Sequence, residues 1–163
     1  VYKRAFSAER ESEQFAAAGE NPGILTGHRI LLAEDDDVNK MITLEMLAGT
    51  GLDVDVVNNG ADAIERVQQQ QYDLILMDIK MPVMDGYEAT QAIRALGGYF
   101  ESIPIIAITA HALEGDSTKS LDAGMNYYIS KPFEPEYLVL TISRFIGKQG
   151  QRANSGPIDL VLQ

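Results

Sequence analysis

Several features that define whole classes of protein are missing from this sequence. The chain has 0 Cys among its 163 residues, which excludes disulfide bonds and thiolate metal sites and agrees with a reducing compartment. No run approaches the roughly 18 consecutive apolar residues of a membrane span, and residues 1–20 lack the basic-then-apolar order of a secretory signal. We therefore expect a cytoplasmic domain without membrane contact, although a longer parent protein could carry an anchor elsewhere.

Basic residues are also scarce. Lys and Arg number 13 against 24 Asp and Glu, which gives a formal net charge of -11 at pH 7. Nucleic-acid binding depends mostly on Lys and Arg that neutralise phosphates, so this composition argues against a nucleic acid as direct partner. An acidic balance usually means a well-solvated surface, and only the placement of particular acids can indicate chemistry.

The length and local composition predict one domain between two linkers. Residues 1–27 are polar and alanine-rich, with a candidate helix through Phe15 that is interrupted at residues 21–23. Residues 149–163 are loosely patterned. We predict linkers over 1–27 and 149–163, a domain over 28–148, and a chain that is a piece of a longer protein.

Short apolar runs alternate with amphipathic stretches from Arg29 onward. The runs are hydrophobic throughout, as expected for strands buried on both faces of a sheet. Five strands are predicted, over residues 30–33, 54–58, 74–77, 105–108 and 126–129. Alternation of strand and helix implies right-handed crossovers and a parallel sheet between helical layers. We predict a doubly wound, flavodoxin-like α/β fold with strand order 2-1-3-4-5.

A helix is predicted after each strand. The second follows Asn59-Gly60, the third begins with a capping box at Asp85, and the fifth has Pro135 in its first turn. The fourth is expected over residues 114–123. The first begins near Asp37, and four apolar residues at spacings of three predict the side that faces the core: Val38, Met41, Leu44 and Leu47.

Polar residues follow the strands at the sheet edge where open parallel sheets bind ligands. Glu34 and Asp35 follow the first strand and Asp78 follows the third, so these carboxylates should share one pocket. Thr109 and Lys131 follow the fourth and fifth strands. Carboxylates about 4 Å apart repel by about 4 kcal/mol per pair at an effective dielectric of about 20, so the cluster needs a cation or protons.

The ligand type indicates which cation. Oxygen ligands with room for water and a phosphoryl oxygen suit Mg²⁺ better than Zn²⁺ or an enclosed Ca²⁺. The alternative is that each acid only caps the helix after it. Convergence of the acids with Thr109 and Lys131 favours a functional site, while the extra acids Asp36 and Asp37 leave the individual metal contacts open.

Four segments resemble the motifs of response-regulator receiver domains, of the type attached to hybrid histidine kinases. They are residues 31–39 (LLAEDDDVN), 74–86 (LILMDIKMPVMDG), 106–112 (IAITAHA) and 124–133 (GMNYYISKPF), in the family's order. The resemblance spans roughly residues 29–148. It implies a two-component phosphorelay domain that accepts a phosphoryl group from a phosphohistidine and then changes the surface formed by its fourth helix, fifth strand and fifth helix.

The resemblance also implies roles for individual residues. Asp78 would be the phosphoacceptor, and Mg²⁺ would be held by Glu34, Asp35, Asp78 and the backbone carbonyl of Lys80. Thr109 and Lys131 would contact the phosphoryl group.

Further positions follow from the same motifs. Thr109 and Tyr128 would form the switch, and Lys80 and His111 would tune the lifetime of the phosphate. The peptide bond between Lys131 and Pro132 is expected to be cis.

The implied partners are a histidine kinase or histidine phosphotransfer domain and the other domains of the parent chain. A homodimer through the surface of the fourth helix, fifth strand and fifth helix is a further option. Such a domain catalyses only its own phosphorylation and dephosphorylation, and the parent chain could itself be a histidine kinase. Two alternatives stay open: a degenerate receiver that only binds proteins, and a Mg²⁺-dependent aspartyl-phosphate hydrolase. Haloacid-dehalogenase-like phosphatases carry a second acid two residues after the nucleophile, where this chain has Lys80.

Overall fold

The computed structural model describes residues 24–110 and 116–147. Five of its segments form a parallel sheet with the strand order β2-β1-β3-β4-β5. The strands are β1 Arg29–Ala33, β2 Asp53–Val57, β3 Leu74–Asp78, β4 Ile105–Thr109 and β5 Tyr127–Ser130. The helices are α1 Asp37–Leu47, α2 Gly60–Gln69, α3 Gly86–Ala95, α4 Asp116–Asp122 and α5 135–147, with a 3-10 helix at Gly98–Glu101. The predicted fold and strand order are confirmed.

The two faces of the sheet carry separate hydrophobic clusters. Along β1, Leu31 and Ala33 join the cluster under α2 and α3, while Ile30 and Leu32 join the cluster under α1 and α5. Every residue of β3 and β4 is buried. Because both faces of these strands are covered, their sequences are apolar without alternation.

Asp or Asn side chains cap the amino ends of three helices. Asp36, Asn59 and Asp85 cap α1, α2 and α3, each accepting a hydrogen bond from the backbone N–H three residues further on, at 2.9, 2.8 and 2.8 Å. The Asp85 half of the predicted capping box is therefore present. These caps satisfy N–H groups that have no partner within the helix.

The predicted core-facing side of α1 is wrong for three of its four residues. Val38, Met41 and Leu44 are 61%, 62% and 38% exposed, whereas Thr43 and Leu47 are 2% and 3% exposed. Apolar residues occur on nearly every side of α1, so their spacing cannot select the side that meets the sheet. The helix consequently presents an apolar surface to solvent.

The segment before β1 contacts the core. Leu25 is buried in the cluster under α1 and α5, and its N–H donates to the carbonyl oxygen of Thr50 at 2.8 Å. Residues 1–23 and 148–163 lie outside the described part of the chain, so the linker boundaries stay predictions. Among the described residues, no helix has both the length and the apolar character needed to cross a bilayer.

Candidate functional site

Three carboxylates meet at the carboxyl edge of the sheet, as the strand order predicted. Oxygen atoms of Glu34, Asp35 and Asp78 lie within 4.8 Å of one another. Glu34 directly follows β1 and Asp78 ends β3, and these strands are neighbours, with Ala33 paired to Met77. Glu34 is 0% and Asp78 7% exposed, while Asp35 faces solvent.

Lys131 reaches this cluster through Glu34. Its Nζ donates to Glu34 Oε2 at 2.7 Å, and the backbone N–H of Asp36 donates to Glu34 Oε1 at 3.1 Å. Both oxygens of the buried carboxylate therefore accept hydrogen bonds, one of them charge-assisted. The lysine was predicted at this edge, but its bond to Glu34 was not.

The environment of Asp78 favours its protonated form. Burial raises the pKa of Asp78 to about 7, helped by the charge of Glu34 and opposed by the charge of Lys131 and the backbone N–H of Ile79. The buried carboxyl group therefore holds its proton to a higher pH than an exposed aspartic acid does. A cation beside it would favour the carboxylate form, which is the nucleophilic one.

Asp36, which the sequence left open as a metal ligand, is used differently. Its Oδ1 caps α1 by accepting the N–H of Asn39 at 2.9 Å, and its carboxylate is not among the three that converge. Asp37 accepts a hydrogen bond from Lys40 Nζ at 2.8 Å on the exposed side of the helix. Both additional carboxylates thus accept hydrogen bonds from residues in the first turn of α1.

The predicted switch residues lie on adjacent strands. Thr109 ends β4 and is buried, and Tyr128 of β5 pairs with Ala107 and packs partly buried against the cluster under α2 and α3. The N–H of Lys131 donates to the carbonyl oxygen of Thr109 at 2.7 Å. The bond from Lys131 to Pro132 is cis, as predicted. His111 lies outside the described residues.

The loop after Asp78 is held by a close backbone contact at Gly86. Its N–H donates to the carbonyl oxygen of Ile79 at 2.8 Å, and a Cβ at this position would overlap the carbonyl oxygen of Asp78. Within the loop the exposed Val83 has φ 68°, and the N–H of Met84 donates to the oxygen of Pro82 at 2.7 Å. The exposed Lys80 belongs to this loop, two residues after Asp78, and its backbone carbonyl remains a predicted metal ligand.

An apolar groove opens beside Lys131. It has a volume of about 380 Å³ and lies between α1 and the segment after β5. Its walls include Ile42, Thr43 and Met46 of α1 together with Ala110, Lys131 and Phe133. Sequence reasoning missed this groove because it placed the apolar side of α1 in the core.

Comparisons with known proteins agree with this geometry. The profile of the family described as "Response regulator receiver domain" matches residues 30–143. The chain is 40% identical over 121 residues to Two-component response regulator ORR41 of Oryza sativa subsp. japonica, covering 72% of this chain and 93% of that protein. It is 39% identical over 129 residues to Hybrid signal transduction histidine kinase I of Dictyostelium discoideum, covering 74% of this chain but 7% of the kinase.

A solved structure matches closely. The receiver domain of sensor histidine kinase PA1611 from Pseudomonas aeruginosa PAO1, with a magnesium ion coordinated in the active site cleft, superposes with a TM-score of 0.70. The two chains are 45% identical, and the match covers 75% of this chain and 99% of that one. By contrast, the chain spans only 13% of the sensor protein GacS of Pseudomonas syringae pv. syringae.

Proposed function

Because the chain belongs to the response regulator receiver domain family, we propose that it accepts a phosphoryl group on Asp78. It is a receiver domain of two-component signalling, related to those of hybrid histidine kinases. The convergence of Glu34, Asp35 and Asp78 beside Lys131 carries the proposal. The exposed Lys80 stands where an aspartyl-phosphate hydrolase would carry its second acid, which disfavours that alternative.

The residues present fit a Mg²⁺ ion. The three converging ligands are all carboxylate oxygens. Burial and the neighbouring charge of Glu34 raise the pKa of Asp78, and the exposed Asp35 leaves one side open to water. We assign Glu34, Asp35, Asp78 and the backbone carbonyl of Lys80 as its ligands. When bound, the ion would offset the repulsion among the carboxylates and the charge of the phosphoryl oxygens.

The transfer step needs few protein groups. A carboxylate oxygen of Asp78 forms the new bond to phosphorus while the P–N bond of the donor phosphohistidine breaks, and its electron pair stays on the imidazole nitrogen. The Lys131 ammonium and the Thr109 hydroxyl stabilise the phosphoryl oxygens by charge and hydrogen bonding. Lys80 and His111 would tune how long the acyl phosphate survives.

The donor would be a histidine kinase or a histidine phosphotransfer domain that docks on α1. The exposed Val38, Met41 and Ile42 form an apolar surface, and the groove lined by Ile42 and Met46 continues it to Lys131. Contiguous exposed apolar surface of this kind marks protein interfaces. A donor seated there would bring its imidazole to the edge that holds Asp78.

The output would be a change of the surface formed by α4, β5 and α5. Phosphorylation adds a charge of about -1.5 to -2 and strong acceptors, which would draw the Thr109 hydroxyl inward and free space for the Tyr128 ring. Leu121 of α4 is 60% exposed and Tyr137 of α5 is also exposed on this surface. A homodimer through the same surface is a second use that these side chains would support.

Labelling with a small-molecule phosphodonor tests the acceptor. The whole chain incubated with the donor and Mg²⁺ should gain the mass of one base-labile phosphoryl group, and Asp78→Asn or a chelator should abolish the gain. Asp53→Asn, at an exposed position on the opposite edge of the sheet, should label normally. Equal labelling of Asp78→Asn, or a base-stable adduct, would reject the assignment.

A matched pair of variants tests donor docking. Ile42→Glu should lose transfer from a phosphohistidine protein yet keep labelling by the small molecule, because only the protein donor needs the α1 surface. Leu121→Glu, an equally polar change on α4, should keep both reactions. Unchanged transfer to Ile42→Glu would place the donor elsewhere.

A further inference from the structure

Arg94, in the last turn of α3, uses all of its guanidinium donors. Nη1 donates to the carbonyl oxygens of Phe100 and Ile103 at 2.8 and 2.7 Å. Nε and Nη2 donate to the carbonyl oxygen of Gly124 at 3.0 and 2.8 Å, and Nη2 also donates to Asn126 Oδ1 at 2.8 Å. The side chain therefore joins two segments: the residues that lead into β4 and the turn between α4 and β5.

Two further hydrogen bonds join these segments directly to each other. The N–H of Asn126 donates to the oxygen of Ile105, and the N–H of Ile105 donates to Asn126 Oδ1, both at 2.8 Å. The turn is continuous with α4, since the N–H of Met125 donates to the oxygen of Ser120 at 2.9 Å. Gly124 has φ 105°, and a Cβ there would meet Arg94 Cγ at 3.1 Å. The amino ends of β4 and β5 and the carboxyl end of α4 thus form one junction.

The junction lies at the opposite end of the strands from the phosphorylation site. At about 3.3 Å per residue, the four steps from Ile105 to Thr109 span about 13 Å. Lys131 likewise lies at the far end of β5, one residue beyond its last residue. Each strand therefore has one end at the junction and the other at the site that contains Asp78.

We propose that Arg94 is a positioning residue for the switch, which fixes the amino ends of β4 and β5 and the carboxyl end of α4. Phosphorylation of Asp78 then displaces only the opposite ends of these elements. The displacement reaches the surface of α4, β5 and α5 without spreading along the strands. This inference rests on the proposed function.

The chemistry of the side chain explains why arginine is needed. A guanidinium presents its donors as a rigid planar fork and can hold two segments at once. A lysine ammonium is a single point with three donors on a flexible stem, so it cannot bridge Ile103, Gly124 and Asn126 together. Arg94→Lys therefore keeps the charge and most of the stem while it releases the junction.

Hydrogen exchange of the whole chain, with and without a stable beryllofluoride mimic of the acyl phosphate, tests the inference. In the unaltered protein, the mimic should change exchange in residues 127–130 and leave residues 124–126 unchanged. In Arg94→Lys, exchange of residues 124–126 should rise about tenfold. The mimic should then also change exchange in residues 124–126, and its effect on residues 127–130 should fall by about half. Arg66→Lys, a change at a half-exposed arginine of α2, should keep the original pattern.

Two results would overturn the inference. In the first, Arg94→Lys responds to the mimic as the unaltered protein does. In the second, exchange at residues 124–126 of Arg94→Lys rises by the same amount with and without the mimic, as a purely structural role would produce. If Arg94→Lys does not fold, Asn126→Ala replaces it, because it releases one donor of Arg94 and the N–H of Ile105; the same two outcomes decide. Labelling of Asp78 in the same samples reports separately on the proposed function.

Discussion

Replacing Asp78 by Asn should stabilise the metal-free protein while it abolishes phosphorylation. The buried carboxylate lies within 4.8 Å of Glu34 and Asp35, and the folded chain accommodates it best when it is protonated. An asparagine amide has the same shape without the charge, and it can donate a hydrogen bond to a neighbouring carboxylate. The substitution therefore removes a repulsion that the folded protein otherwise bears.

The magnitude follows from the pKa of Asp78, which is raised from its ordinary 3.8 to about 7. About three pKa units correspond to ~4 kcal/mol. Solvent on the side of the exposed Asp35 screens this charge, so we expect about half, ~2 kcal/mol. Because the folded pKa is the higher one, the native chain binds the extra proton between about pH 4 and pH 7, and its stability falls as the pH rises through that window.

Urea unfolding in a chelator, at about pH 8 and about pH 4, measures the effect. Asp78→Asn should be more stable than the unaltered chain by ~2 kcal/mol at pH 8, and most of that difference should vanish at pH 4, where the aspartic acid is neutral. Added Mg²⁺ should narrow the gap at pH 8. Asp53→Asn should show neither gain nor pH dependence. A gain of equal size at both pH values, or no gain at pH 8, would refute the electrostatic reasoning.

Three further substitutions probe the same edge of the sheet. Gly86→Ala should lower the free energy of unfolding by at least about 2 kcal/mol and weaken Mg²⁺ binding, because the added methyl group displaces the backbone of Asp78. Urea unfolding and a Mg²⁺ titration measure the two effects, and a normal affinity for Mg²⁺ would contradict this prediction. Val83→Asn should raise the unfolding free energy by about 1 kcal/mol, since asparagine tolerates a positive φ better than a β-branched residue, and an unchanged urea midpoint would show that the turn is not strained. Lys131→Gln should cost about 3 kcal/mol in urea unfolding by leaving buried Glu34 without its ion pair, and a smaller loss would mean that solvent reaches this carboxylate.

The fold was predictable because its strongest signals are local. The apolar runs of β3 and β4 are continuous, as strands covered on both faces require, and Asp85 marks the start of α3 by capping it. Parallel strands then bring their carboxyl ends to one edge whatever the details of packing. The flavodoxin-like strand order also makes β1 and β3 neighbours, so Glu34, Asp35 and Asp78 could be expected in one pocket before any contact was known.

The first helix shows where local signals fail. Val38, Met41 and Leu44 have the spacing of a core-facing stripe but lie at the surface, while Thr43 is buried. A helix with apolar residues around most of its circumference has no unique inward side in its sequence. The sheet selects that side, and the choice leaves the apolar surface that we assign to the phosphoryl donor.

By itself, the sequence determined the alternation of strands and helices, the edge where the polar residues gather, and the kinds of group available there, because these depend on periodicity and chain connectivity. Only the tertiary structure decided that Lys131 bonds to Glu34, that Asp36 caps a helix, and that Arg94 joins the residues before β4 to the turn between α4 and β5. Such contacts link residues that are distant along the chain, or choose between local uses of one side chain. Their outcome depends on distances of a few ångströms that no local pattern records.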